Sequence, residues 1–109
     1  MKQIKLFQTN TGVKPFNEWL ARVKDKKDRA RIRRRIDRLQ LGHYGDCKRL
    51  TKDLFELRLF FGSGYRVYFT EHGDEIIILL LGGNKKTQSR DITKAEKYLA
   101  IIYSLGEKT

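Results

Sequence analysis

Leu54-Phe55-Glu56-Leu57-Arg58-Leu59-Phe60-Phe61-Gly62-Ser63-Gly64-Tyr65-Arg66-Val67-Tyr68-Phe69-Thr70 is the stretch on which the fold turns. Apolar residues recur at 55, 57, 59 and 61, then at 65, 67 and 69. A period of two is the mark of a half-buried strand. Two such runs around a Gly-containing break predict an antiparallel hairpin. If both apolar sets face one core, Phe61 lies opposite Tyr65 and Gly62-Ser63-Gly64 is a three-residue loop. Such a loop needs left-handed backbone, which glycine supplies. A two-residue loop would turn one set to the wrong face. In this register the other face carries Glu56, Arg58 and Phe60 on one strand, and Arg66, Tyr68 and Thr70 on its partner. Arg58 then sits opposite Tyr68, Phe60 sits opposite Arg66, and the two arginines are diagonal neighbours, roughly 7–8 Å apart. Guanidinium matches phosphate in a bidentate way, so two arginines and a tyrosine turned away from the core suit an anion. The competing reading is a solvated face on which Arg58 pairs with Glu56.

Upstream, Ile4 and Leu6 alternate with polar neighbours in a short strand over 3–8. Phe16, Trp19, Leu20 and Val23 fall at i, i+3, i+4 and i+7, one stripe of a helix with Pro15 in its first turn. Ile32, Ile36 and Leu39 repeat the pattern out of phase. This predicts a break near Asp25–Asp28 and a second helix running to about Leu41, stopped by Gly42. Downstream, Glu75–Leu81 is apolar almost throughout, as expected of a central strand covered on both faces. Residues 82–90 form a basic loop. A last helix places Ile92, Ala95, Leu99 and Ile102 on one face, with Thr93 and Glu96 as a candidate capping box and Ser89 as an alternative start. The predicted order is β-α-α-β-β-β-α. It is an α+β fold in which a twisted, mostly antiparallel sheet packs against a helical hairpin and leaves its other face partly open.

The 109 residues fit a single domain spanning 1–109. The 24 Lys and Arg against 13 Asp and Glu give a net charge of +11. That charge speaks to partners and not to fold, and nucleic acid heads the candidates. Between Arg22 and Arg38 ten basic residues face three acidic ones, a net +7. Such density on a helix attracts phosphate backbone, giving affinity without sequence choice. Cys47 is the only cysteine, which excludes an internal disulfide and a cysteine-based metal site. It reads as a small loop or core residue. The start, Met1-Lys2-Gln3-Ile4-Lys5-Leu6, has no apolar signal-peptide core. The longest apolar run, Ile76 to Leu81, is far too short to span a bilayer. A cytoplasmic chain with no membrane partner is expected. No HExxH, GxxxxGK[ST] or nucleophile elbow occurs. His43 and His72 have no metal-ligand company. What remains is a site of Arg, Lys and Tyr, with neither metal nor cofactor expected.

Phe16-Asn17-Glu18-Trp19-Leu20, the basic helix and Gly45-Asp46-Cys47-Lys48 form the first half of an ordered set. Phe55-Glu56-Leu57-Arg58, Gly62-Ser63-Gly64-Tyr65-Arg66-Val67-Tyr68-Phe69, Gly82-Gly83-Asn84-Lys85-Lys86-Thr87-Gln88, then Asp91-Ile92 and Ala95 complete it. The set, over about residues 5–103, resembles the addiction-module killer proteins, the phage-related HigB-like branch of the RelE/ParE superfamily. The resemblance implies a RelE-like fold and the toxin of a type II toxin–antitoxin system. It implies a metal-independent endoribonuclease that enters the ribosomal A site, cuts mRNA and so inhibits translation. The mRNA 2′-hydroxyl attacks its own neighbouring phosphate, leaving a 2′,3′-cyclic phosphate and a 5′-hydroxyl. By that resemblance Arg66 holds the scissile phosphate, while Arg58 and Lys85 stabilise the added negative charge. Tyr68 or Glu56 would serve in proton transfer. Arg31, Arg34, Lys48, Lys86 and Gln88 would hold ribosomal RNA or mRNA. The family's usual Gly-Gly-Asp-Lys motif has Asn84 in place of the acid and keeps the lysine as Lys85. Implied partners are the ribosome, mRNA and an adjacently encoded, helix-turn-helix HigA-like antitoxin, through which alone operator DNA would be reached. Two other functions compete: a ParE-like gyrase inhibitor, whose kind generally lacks the sheet-face basic set, and a non-catalytic RNA- or DNA-binding module.

Overall fold

The computed structural model describes residues 1–106. Five strands form one sheet in the order β1-β5-β4-β3-β2. They are β1 (Gln3–Leu6), β2 (Cys47–Arg49), β3 (Phe55–Arg58), β4 (Arg66–His72) and β5 (Ile76–Gly83). β1 runs parallel to β5 and every other pairing is antiparallel. The helices are α1 (Pro15–Arg22), α2 (Lys26–Gln40) and α3 (Gln88–Gly106), the last preceded by a 3-10 turn at Lys85–Thr87. The order is thus β-α-α-β-β-β-β-α, one strand more than the sequence pattern predicts. The addition is β2, whose three residues are too few to display a period. Among the described residues no helix is long and apolar enough to cross a membrane.

The helical hairpin forms where its two stripes predict. Pro15 opens α1, where its missing N–H costs nothing. Asp25 makes the break, because its side chain accepts hydrogen bonds from the Lys27 and Asp28 backbone N–H groups and caps α2. At the other end Gly42, with φ +87°, lets its own N–H reach the Leu39 carbonyl and that of His43 reach Arg38, a Schellman closure. Phe16, Leu20, Val23, Ile32 and Leu39 bury against Leu57, Leu59, Val67, Phe69, Ile77 and Leu79 of the sheet.

The expectation of an open second face is corrected. α3 crosses that face and seals Phe7, Leu54, Tyr68, Leu80, Leu81, Ala95 and Leu99 into a second core. The apolar stripe of α3 needs a partner, and Ile78, Leu80 and Leu81 of β5 supply it. A bulge serves both cores: Tyr68 faces Leu81 while its neighbour Phe69 faces Leu79, so Leu80 is the extra residue. Beyond the bulge Gly82 and Gly83 let both layers approach the backbone. A Cβ on Gly82 would lie 2.1 Å from the Trp19 ring, and one on Gly83 would lie 1.8 Å from an Asp91 carboxylate oxygen.

The hairpin register is also corrected. Arg58 pairs directly with Arg66, and Glu56 with Tyr68. The Leu59 N–H still bonds the Tyr65 carbonyl at 3.0 Å, so the connection is the five residues 60–64. A shift of two residues preserves side-chain parity, which is why the faces are as predicted although the partners are not. Phe61 leaves the ladder to pack edge-on against Tyr65 and beneath the Arg31 guanidinium.

The start of α3 is likewise earlier than Thr93. Asn84 accepts from the Lys86 and Thr87 N–H groups, and Thr87 returns a bond from the Asn84 N–H. This reciprocal cap replaces the Thr93–Glu96 box, and Thr93 instead bonds back to the Ser89 carbonyl inside the helix.

Candidate nucleic-acid interface

The direct pairing of Arg58 with Arg66 puts two cations opposite each other, which alone would be repulsive. Glu56, two residue pairs further along the ladder on the same face, resolves it. Its side chain is fully buried. One carboxylate oxygen accepts from Arg58 Nε at 2.9 Å. The other accepts from Tyr68 Oη at 3.1 Å and from Gln88 Nε2 at 2.7 Å, and stands 3.7 Å from Arg66 Nε. A buried charge needs such satisfaction. Burial alone would raise the Glu56 pKa, but hydrogen bonds from Arg58, Gln88 and Tyr68, with the Arg58 charge, outweigh it and hold the carboxyl below its ordinary range. The Tyr68 phenol is pushed the other way, by burial first and then by its carboxylate partner. Glu56 is therefore an ionised anchor and Tyr68 a neutral donor, both at 0% exposure.

The two arginines rise from this anchor to different depths. Arg58 keeps about a third of its side chain in solvent and Arg66 about an eighth. Arg66 Nη1 donates to the Gly64 carbonyl at 2.8 Å, while its Nε is buried without a hydrogen-bond partner. One carboxylate serves two guanidiniums, so the cluster carries a surplus positive charge. Lys85 adds to it: a Cβ on Gly64 would lie 3.4 Å from both Arg66 Nη1 and Lys85 Cβ. Lys48 stands opposite Glu56 across the β2–β3 ladder and is exposed. Lys86 is exposed in the 3-10 turn, where its N–H completes the Asn84 cap. An amide caps as well as an acid does, so Asn84 organises this turn without placing a negative charge beside Lys85.

Arg31 and Arg34 belong to a different surface. They lie exposed on α2, on the hairpin side of the sheet, with Arg35, Arg38 and Phe61 around a cavity of about 180 Å³. The Arg31 guanidinium covers the Phe61 ring at 4.9 Å. Arg35 is half-buried, and its Nη2 reaches the Asp46 carbonyl at 3.2 Å. Burial draws the Arg35 pKa down despite the nearby Asp46 carboxylate. The structure thus gathers Arg58, Arg66, Tyr68 and Gln88 around the Glu56 carboxylate, with Lys85 next to Gly64, Lys48 across the ladder and Lys86 exposed in the following turn. Arg31 and Arg34 form a second basic surface.

Two contributors have weak or no sequence signals, while Cys47 is the small core-edge residue the sequence suggests. Gln88 reads as a surface contact and is instead a donor to the buried carboxylate, a role created by where α3 begins. Asp28, counted with the charges of α2, accepts the Tyr65 hydroxyl at 2.8 Å and ties the β3–β4 loop to that helix. Cys47 lies on β2 at the edge of the first core, its thiol pushed up to about 11 mainly by burial. A thiol so placed is inert at neutral pH.

A sheet that fixes two guanidiniums over one buried carboxylate, with helices on both faces, defines a small α+β protein with a preorganised basic site. The chain belongs to the phage-derived Gp49-like family (DUF891), whose model matches residues 18–101, within the RelE/ParE-like toxin superfamily. It is also similar to a Haemophilus influenzae protein of uncharacterised function. The two are 44% identical over 81 residues, covering 74% of this chain and 82% of the relative.

Proposed function

We propose that this protein is the toxin of a type II toxin–antitoxin pair: a HigB-like, RelE-fold endoribonuclease that cuts mRNA on the ribosome without a metal. The observation that carries the proposal is the Arg58–Arg66 pair, held over Glu56 with charge to spare and with Lys85 beside it. Such a site favours a group that gains negative charge as it reacts. In this reading Arg66 grips the scissile phosphate, and Arg58 and Lys85 face the pentavalent phosphorane. The substrate's 2′-oxygen forms a bond to phosphorus as its proton departs, the P–O5′ bond breaks, and the leaving oxygen takes up a proton. The ribosome supplies the alignment of 2′-oxygen, phosphorus and leaving oxygen.

Glu56 and Tyr68 take positioning parts in this reading. Both lie beneath the guanidiniums and away from solvent, and neither pKa is moved towards neutrality. Lys48, Lys86 and the α2 arginines contribute phosphate-backbone contacts. In the cytoplasm an adjacently encoded helix-turn-helix antitoxin would cover the basic site and carry the complex to operator DNA.

The test is expression without antitoxin, with mRNA 5′ ends mapped across translated messages. Cuts inside reading frames, in phase with codons and abolished when translation is blocked, are expected. Growth arrest with intact mRNA and double-strand DNA breaks would replace this reading with gyrase inhibition. No arrest would leave a binding module.

A further inference from the structure

We propose that Phe60 is a stacking platform for an RNA base next to the phosphate held by Arg58, an inference that rests on the RNA reading above. Phe60 is 82% exposed. Leu59 still bonds Tyr65 and is buried in the first core. Phe60 lies two residues beyond Arg58, the last residue of β3, and so about 7 Å along the chain from it. It has no ring or cation partner among the described residues, whereas its neighbour Phe61 packs on Tyr65 and under Arg31.

The mounting is rigid. The Gly64 N–H bonds the Phe61 carbonyl at 3.1 Å, the Tyr65 hydroxyl bonds Asp28, and Arg66 bonds the Gly64 carbonyl. Gly62, with φ +58°, leaves no space for a side chain between Tyr65 and Asp28. The loop is thus tied at both ends while the Phe60 ring stands in solvent. A protein-docking surface would require a contiguous apolar patch, but the loop that carries this ring joins Arg58 to Arg66 and passes Lys85 at Gly64. A lone aromatic in a cationic rim is how single-stranded nucleic acid is held: cations follow the backbone and the ring takes a base of any identity. Phe60 is then a positioning contact for the substrate base, with little dependence on sequence.

The probe is a short single-stranded RNA carrying 2-aminopurine. Full 2′-O-methylation prevents the proposed attack, so binding to the full chain can be measured without cleavage. The wild type should quench the fluorophore on binding. Phe60→Ala should lose the quenching and bind about 5- to 150-fold more weakly. Phe60→Trp should restore both, whereas Phe60→Leu, equally apolar but without a π face, should behave like the alanine variant. The salt dependence of binding should be the same in all four proteins, because no phosphate contact is removed. Unchanged binding by Phe60→Ala, or full binding by Phe60→Leu, overturns the stacking role alone. If the wild type binds no RNA even at low salt, the stacking platform is overturned, while the ribosome-dependent reading stands or falls separately on the mapped mRNA 5′ ends.

Discussion

On the sheet face Arg58 and Arg66 share a buried carboxylate, with a tyrosine and a glutamine completing its shell. On α2, Arg31, Arg34 and Arg38 stand exposed around a shallow cavity, with one aromatic ring as their nearest fixed contact. The two regions have the same residue type and the same sign of charge. They differ in what it costs to move a guanidinium. The sheet-face pair is fixed by hydrogen bonds before any ligand arrives, so its field is aimed. The helix arginines retain rotamer freedom and give an attraction that has range and no direction. Chemistry on a phosphate needs the first kind and recruitment of a polyanion needs the second.

The strongest way to break this contrast is to remove the anchor. Glu56→Ala should destabilise the fold by about 3–5 kcal/mol, because the buried Arg66 Nε would lose the carboxylate 3.7 Å away and the Tyr68 hydroxyl would lose its acceptor. Denaturant unfolding checks this. A loss below about 1 kcal/mol would mean the arginines relax into solvent and the carboxylate fixes nothing. Arg66→Ala comes next. It removes one donor from the proposed charge-stabilising set, so the ribosome-dependent cleavage rate should fall about 10²- to 10³-fold, while sedimentation with ribosomes persists. If binding and cleavage fall in the same proportion, Arg66 is a docking contact and the two regions differ less than their geometry suggests.

How far these regions could be read from sequence follows from how local their signals are. The α2 surface was largely legible: its apolar stripe fixes the inward face, so most of its eight basic residues turn outward, although Arg35 is half-buried against Asp46. The membership of the sheet-face site was legible too, because alternation assigns Glu56, Arg58, Arg66 and Tyr68 to one face in any register of the right parity. Their pairing was not. A three-residue and a five-residue loop preserve the same parity, and the choice lies in Phe61 packing on Tyr65 and Arg31, a tertiary contact. The burial of Glu56 was equally hidden, since it depends on α3 crossing a face whose alternation looks solvent-facing. That crossing depends on the Asn84–Thr87 cap and on two glycines whose need is for space at Trp19 and Asp91. β2, at three residues, is defined by its partner strand alone.

Acid sharpens the comparison with a smaller perturbation, because protonating Glu56 removes its charge yet leaves an oxygen to accept hydrogen bonds. Its folded-state pKa lies below the ordinary value of 4.5. The ion-pair contribution is therefore fully present above about 4.5 and is lost as pH falls through the lower folded value. Glu56→Gln lacks that component at every pH. The difference in unfolding free energy between wild type and Glu56→Gln should be flat from neutrality to about pH 5 and shrink in stronger acid. A difference that instead grows on acidification would place the Glu56 pKa above normal and make it a proton carrier in place of an anchor.

The smallest effect belongs to the helix. Arg34→Ala should change stability by no more than about 0.5 kcal/mol, since an exposed side chain is replaced by the best helix former. Cleavage by ribosomes already saturated with toxin should be untouched. What should change is the salt dependence: the log–log slope of ribosome affinity should become shallower by about 0.7–0.9 for the one lost phosphate contact. The same measurement on Arg58→Ala separates the regions, because there the cleavage rate must fall even at saturation. If Arg34→Ala also slows saturated cleavage, the helix arginines act on the reacting phosphate and the division between an aimed field and an undirected one fails.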